Sequence, residues 1–187
     1  MKKIFVLLLS LLLITTLFGC GAKPSSIIKE SFDEFKSLTY EEISSEYGFD
    51  LSGIVDDPEF EKLFVELLQD FDYEILDETV DGDTAVVTVK ITSNNIGAKL
   101  QEGFTNALSM AFTLVFSDLT EDEITEKIAE TILEPLNECE KTFVNTVDVK
   151  LTKTDDGWDV LEENNRDFYN AFLGGLYDFS DYISKLQ

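Results

Sequence analysis

Apolar residues change their spacing several times along the chain, and each spacing predicts one kind of element. Before residue 72, three segments place apolar residues three and four positions apart, which is typical of amphipathic helices. The spacing changes to two within 73–91, where Asp81-Gly82 separates two alternating runs and predicts a β-hairpin. The inward face of its second strand is predicted to consist of Ala85, Val87, Val89 and Ile91.

Helical spacing returns after this hairpin. Apolar residues nearly four apart predict one helix over 100–115 and another over 124–136. Thr120 and Glu123 have the spacing of a capping box, which would start the second of these helices. Pro135 is expected to bend or end it, because proline lacks the backbone N–H that a helix interior needs.

A second hairpin and a terminal helix complete the pattern. Residues 143–151 alternate, and Asp155-Asp156-Gly157 predicts the turn into a final strand with Trp158. One helix is expected after Asn165, although Gly174-Gly175 lies in its middle. The order of helices, hairpin, helices, hairpin and helix predicts an α+β fold with antiparallel strand pairs. The apolar face of the terminal helix would carry Phe168, Phe172, Leu176, Phe179 and Ile183, with core packing as their expected role.

The first eighteen residues have a different character. Lys2 and Lys3 precede a run from 4 to 18 that carries no charge, which is the pattern of a secretory signal. As a helix the run would span roughly 22 Å, less than the bilayer hydrocarbon of about 30 Å. The two lysines favour export of the residues that follow, because positive charge is retained on the cytoplasmic side.

The run ends in Leu17-Phe18-Gly19-Cys20, which resembles the lipobox of bacterial lipoproteins. The resemblance implies that lipoprotein-processing enzymes attach a diacylglyceryl group to the Cys20 sulfur and cleave between Gly19 and Cys20. Two acyl chains suffice for stable membrane anchoring. The expected location is the extracytoplasmic face of the cell membrane. The alternatives are an ordinary secretory signal with a chance cysteine, or an uncleaved anchor.

The two hairpins, in 73–91 and 147–160, are similar to those of small bacterial lipoproteins with an NTF2-like (cystatin-like) fold. That resemblance implies a curved antiparallel sheet wrapped on helices, with a pocket at its mouth. Several such families have no characterised function, so the resemblance implies a fold and no reaction.

Length and charge suggest the organisation of the mature chain. We expect a signal peptide over 1–19, a lipidated tether over 20–26 and a single α+β domain over 27–187. Without residues 1–19, 168 residues remain, with 12 basic and 38 acidic side chains and a formal charge of −26. Such a chain is repelled by nucleic acid, which is therefore not an expected partner.

The residue types restrict the chemistry. The chain has no histidine, no glycine-rich phosphate loop and two cysteines, so no catalytic residue, metal ligand or cofactor is predicted. The acidic turns at Asp81-Gly82-Asp83 and Asp155-Asp156-Gly157 are better explained as hairpin turns than as calcium loops. Cys139 follows apolar residues at helical spacing, which favours a small buried side chain over a reactive thiol.

Three functions are compatible with this sequence. The leading hypothesis is a non-enzymatic lipoprotein that binds an envelope protein or a small apolar ligand outside the cell. The alternative is an enzyme on an NTF2-like scaffold that uses a buried Asp or Glu as general base, which would require a raised pKa in a pocket. A third is a subunit of an envelope assembly, for which an exposed aromatic patch on the last helix would be the mark.

Overall fold

The structure is a computed structural model that describes residues 23–47, 58–114 and 116–186. Within these ranges the chain forms seven α-helices and a four-stranded antiparallel sheet, so the fold is α+β, as predicted. In chain order the elements are α1 (Pro24–Phe35), α2 (Tyr40–Tyr47), α3 (Pro58–Gln69), β1 (Asp72–Asp81), β2 (Thr84–Ser93), α4 (Ile96–Leu114), α5 (Glu121–Leu133), β3 (Phe143–Thr154), β4 (Gly157–Val160), α6 (Arg166–Phe172) and α7 (Leu176–Ser184).

The four strands lie in the order β1-β2-β3-β4, and the sheet is open, with β1 and β4 at its edges. Between β2 and β3, Lys153 N donates a hydrogen bond to Asp83 O at 2.8 Å. Thr88 Oγ1 donates one to Asp148 Oδ1 at 2.7 Å. The residue number rises from 83 to 88 on one side of this pairing and falls from 153 to 148 on the other, so β2 and β3 are antiparallel. β3 and β4 are antiparallel as well.

Both predicted hairpin turns are confirmed. The first uses Gly82 and Asp83, one position later than the predicted Asp81-Gly82, because Asp81 still belongs to β1. Gly82 has a φ of 59°, in the left-handed region that glycine enters without steric cost. The second turn uses Asp155-Asp156.

Side chains along β2 alternate between solvent and core, as predicted. On β3 the inward residues Val149 and Leu151 are buried, whereas Phe143 and Val147 are half-buried. The inward face of the sheet therefore consists of packed apolar side chains. On β2 the buried residues are Ala85, Val87, Val89 and Ile91.

The described residues pack as two compact units. The first comprises 23–47, Ile75–Val89 and Asp148–Arg166. The prediction of a single domain over 27–187 stays a prediction. The core of the first unit includes Ile28, Phe32, Phe35, Ile43, Val87 and Val149.

Helix α1 begins earlier than predicted. Residues 24–26, which belong to the predicted tether, form its first turn, since the fixed φ of Pro24 suits the first position of a helix. Ser25 N donates a hydrogen bond to Glu78 Oε2 at 2.9 Å. Hydrogen bonding to Ser25 lowers the pKa of the Glu78 carboxyl, and the bond ties the start of α1 to β1.

The second unit comprises 58–74, Lys90–Val147 and 167–186. At the end of β2, the buried Ser93 donates a hydrogen bond from Oγ to Ala171 O at 2.6 Å. The buried Asn94 donates from Nδ2 to two carbonyl oxygens near the end of α3. These bonds join β2 to α6 and α3. The core of the unit includes Phe64, Leu68, Phe71, Ile96, Leu136 and Leu173.

Two glycines bring the backbone close at residues 93–97, the β2–α4 junction. Gly97 N donates a hydrogen bond to Gly174 O at 2.8 Å. A side chain at Gly174 would collide with Asn94 O, and Gly174 and Gly175 have φ values of 65° and 82°. The prediction of a single terminal helix is therefore wrong, because these left-handed residues divide the segment into α6 and α7.

The buried Asn165 continues the hydrogen bonding of β3 where β4 ends. Lys150 N donates to Asn165 Oδ1 at 2.7 Å, and Asn165 Nδ2 donates to Lys150 O at 2.8 Å and Leu161 O at 2.9 Å. β4 ends at Val160, which pairs with the residue after Lys150. The amide of Asn165 thus takes the place of a strand neighbour.

We expect Asn165→Ala to lower the free energy of unfolding by about 2–3 kcal/mol, because it removes the partners of the part-buried N–H and carbonyl of Lys150. Urea denaturation followed by circular dichroism measures the loss. The adjacent Asn164 is exposed, so Asn164→Ala is the matched control and should change stability by less than about 0.5 kcal/mol. Equal losses in the two variants would contradict the role given to Asn165.

Candidate interaction surface

Helices α4 and α5 pack against each other within the second unit. A side chain at Gly103 of α4 would occupy the position of the Ile132 backbone, so the two helices approach closely there. Thr120 caps α5: Glu123 N donates to Thr120 Oγ1, and Thr120 N donates to Glu123 Oε2 at 2.8 Å. The predicted capping box is confirmed. α5 ends at Leu133, two residues before Pro135, as the proline predicts.

One row of apolar side chains on α4 becomes steadily more exposed toward the end of the helix. Leu100 is 4% exposed, and the half-buried Phe104 packs edge-to-face on Tyr182 of α7, with ring centroids 6.3 Å apart. Further along, exposure rises to 45% at Leu108 and 77% at Phe112, and it reaches 90% at Phe116, just after the helix. We call Leu108, Phe112 and Phe116 the α4 apolar row.

The exposure follows from the lengths of two helices. α4 has 19 residues and spans about 28 Å, whereas the nine residues of α7, which packs against it, span about 14 Å. In the described part of the chain, α7 packs beside Phe104 in the first half of α4 and leaves the α4 apolar row exposed. The sequence pattern predicted helix but missed this exposure, since core and exposed apolar positions have the same spacing. The two apolar patterns have similar lengths in the sequence, and α7 is the shorter helix because the chain breaks at Gly174-Gly175.

Carboxylates surround the start of α5, next in the chain to the apolar row. Five exposed acids occur within 118–126, and the first basic residue after them is Lys127. Those in the first turn stabilise α5 by facing the positive end of its dipole. A shallow depression of about 300 Å³ lies beside them and is lined in part by Glu123, Glu126 and Leu119. We call Asp118, Glu121, Asp122, Glu123 and Glu126 the acidic rim.

A second, larger cleft of about 720 Å³ lies in the same unit, between the start of α4 and the segment before β3. Its lining is mostly polar. Lys99 pairs with Glu102 at 3.1 Å within it, and Asn95 N donates to Glu140 O at 3.1 Å. The Lys99 ammonium therefore has a carboxylate partner inside the cleft. Its lining residues are Asn95, Ala98, Lys99, Glu102, Asn137, Glu138, Cys139, Glu140 and Thr142.

Cys139 lines this cleft and is half-buried, so its side chain is less buried than the sequence predicted. The helical spacing that suggested burial does not apply, because a 3₁₀ helix over Glu134–Glu138 replaces the end of α5. Burial raises the pKa of the Cys139 thiol, which keeps it protonated at neutral pH. The thiol is accordingly a poor nucleophile, as the sequence predicted.

Core packing, the expected role of the aromatic residues in the terminal segment, is confirmed for two of them. Phe168 and Phe172 of α6 are buried, and Phe172 packs against Phe71 with ring centroids 6.0 Å apart. Tyr177 and Phe179 of α7 are half-buried. The exposed aromatic residues Phe112 and Phe116 lie at the end of α4 and just after it, whereas an envelope-assembly subunit would have been marked by such a patch on the last helix.

Several predicted features receive no geometric test. Gly19 and Cys20, with the rest of the predicted signal, lie outside the described residues. In the ranges that are described, no helix has both the length and the apolarity that crossing a bilayer demands. Within those same ranges, acidic and cysteine side chains do not gather into a group that could hold a metal ion.

Glu46 is the described carboxyl group whose pKa is raised. Desolvation on α2 is the main cause, and the neighbouring charges of Glu34 and Glu42 add to it. Glu46 lines neither of the two clefts described above. Its raised pKa therefore comes mainly from partial burial on α2, outside both clefts.

No protein-family model and no curated protein matches the chain. Its fold is similar to a solved structure from Bacillus subtilis subsp. subtilis str. 168, described as a "putative lipoprotein (ycdA)", with a TM-score of 0.43 and 16% identity. The similarity covers 82% of this chain and 47% of that one, so this chain spans about half the length of the other protein.

We expect Glu46→Gln to raise the melting temperature at pH 7, with a gain that shrinks toward pH 4. Folding raises the pKa of the Glu46 carboxyl. At a pH above this raised pKa, the charged carboxylate destabilises the folded protein. At a pH low enough to protonate the carboxyl, this effect disappears. Thermal unfolding of both proteins at the two pH values measures this. Glu30→Gln, an exposed change on α1, should have little effect at either pH.

Gly103→Ala is expected to lower the free energy of unfolding by about 1–3 kcal/mol, because the new methyl group collides with the Ile132 backbone. The usual effect of this change in a helix is the opposite, a gain of up to about 1 kcal/mol. Asn106→Ala, at an exposed position of α4, should show that ordinary gain. Urea denaturation compares the two, and a gain at both positions would contradict the close approach of α4 and α5.

Proposed function

We propose that the chain is an extracytoplasmic bacterial lipoprotein, anchored through lipid on Cys20, whose folded part acts by binding another macromolecule and not by catalysis. The exposed α4 apolar row is the observation that carries the binding role. Three large apolar side chains with 45–90% exposure, two on α4 and one just after it, are unusual for a surface without a partner.

The anchoring role is supported by the sequence and by where the fold begins. The lysines at positions 2 and 3, the uncharged run over 4–18 and the lipobox residues belong to one export signal. Helix α1 starts at Pro24, four residues after Cys20, which limits their separation to roughly 14 Å. A lipid on Cys20 would hold the first unit close to the bilayer surface.

A binding role is favoured over capture of an apolar ligand inside the sheet. The inward side chains of β2 and β3 pack as core, and the larger cleft of the second unit is lined by polar side chains that include the Lys99–Glu102 ion pair. Catalysis receives less support still. The buried polar side chains of the described residues are Ser93, Asn94 and Asn165, none of which ionises to act as an acid or base.

Cys20→Ala is expected to abolish labelling of the full chain by radioactive palmitate and to leave the signal uncleaved, because the thiol is the acceptor of the lipid. Cells that express each variant are labelled, and the protein is then immunoprecipitated. Cys139→Ala removes the other cysteine and should label like the parent. Equal labelling of the Cys20→Ala variant and the parent would overturn the proposed anchor.

A further inference from the structure

We infer that the partner of the α4 apolar row is a protein segment with an apolar face edged by lysine or arginine, such as a cationic amphipathic helix. This inference rests on the proposed binding function and adds the chemistry of the partner. It is argued from the shape of the row and from the charge beside it.

The shape of the row suits an elongated partner. Leu108 and Phe112 lie four residues apart on one side of α4, and Phe116 continues the row beyond the helix end at Leu114. Leu108 and Phe112 are therefore about 6 Å apart along the helix axis. A narrow line of large apolar side chains matches the line of anchors that an amphipathic helix presents at i, i+3 or i+4 and i+7.

The charge beside the row selects among partners. The acidic rim places five carboxylates within nine residues, and the mature chain carries a formal charge of −26. A surface of anionic lipid would be repelled. A second copy would bring its own acidic rim to the contact, since a symmetric dimer joins equal patches and like charges oppose each other there. A cationic edge would instead be attracted.

Photocrosslinking of the full chain in its own cells tests this inference. Phe112 is replaced by p-benzoyl-phenylalanine, the cells are irradiated, and the crosslinked peptides are identified by mass spectrometry. Leu186 and Val144, each 54% exposed elsewhere on the described surface, are the control positions for crosslinking. We expect an adduct at position 112 with a protein segment in which apolar residues alternate with lysine or arginine, and a weaker adduct or none at the controls.

Charge reversal separates a specific contact from accidental capture. Asp118→Lys with Glu126→Lys reverses two rim charges outside the first turn of α5, so the helix dipole is left undisturbed. This pair should reduce the adduct about tenfold or more. The control is the pair Asp33→Lys and Glu41→Lys, at exposed positions of the first unit. It changes the net charge by the same amount as the rim pair and should leave the crosslinking yield at position 112 within about twofold of the parent. Immunoblotting confirms equal protein levels.

The outcomes distinguish this inference from the proposed function. An adduct at position 112 with lipid, with a second copy or with an acidic segment would overturn the cationic partner and retain a binding role for the row. Equal loss of the adduct in both charge-reversed pairs would also overturn it, because net charge alone would then explain the contact. Crosslinking at position 112 no stronger than at the controls would overturn both proposals.

Discussion

The second unit depends on one close backbone contact, the hydrogen bond from Gly97 to Gly174 at the β2–α4 junction. Neither residue has room for a side chain, so the start of α4 and the turn before α7 meet at a fixed distance. The buried Ser93 and Asn94 add hydrogen bonds to α6 and to the end of α3. Sliding at this junction would leave these buried polar groups without hydrogen-bond partners, which would destabilise the folded state. The junction therefore fixes where α4 and α7 begin.

Two helices that begin at a common junction can cover each other only over the length of the shorter one. α7 ends after nine residues, and α4 continues for about twice that distance. The apolar row at the end of α4 thus follows from the fold and does not require a local defect in packing. Apolar exposure of this kind usually promotes aggregation, which the large negative charge of the chain opposes by mutual repulsion.

The sequence predicted the elements well because their signals are local. Alternation at Ala85–Ile91, the two hairpin turns and the capping box of Thr120 with Glu123 each depend on neighbours in the chain. Exposure of Phe112 could not be predicted, since its spacing equals that of the buried Leu100 and only the length of α7 separates them. The break at Gly174-Gly175 could not be predicted either. The Asn94 carbonyl, which excludes a side chain at Gly174, is distant from it in the sequence.

The proposed lipid anchor and the apolar row would perform separate tasks. Two acyl chains on Cys20 suffice for stable attachment, so the row adds nothing that membrane binding requires. The acidic rim would also oppose insertion of Phe112 and Phe116 into an anionic surface. The proposed anchor would instead confine the protein to a thin layer beside the membrane and raise its effective concentration toward partners that are confined there too. Under that confinement, a weak contact made by three apolar side chains and a charged edge would be sufficient, whereas the same contact between freely diffusing proteins would seldom form.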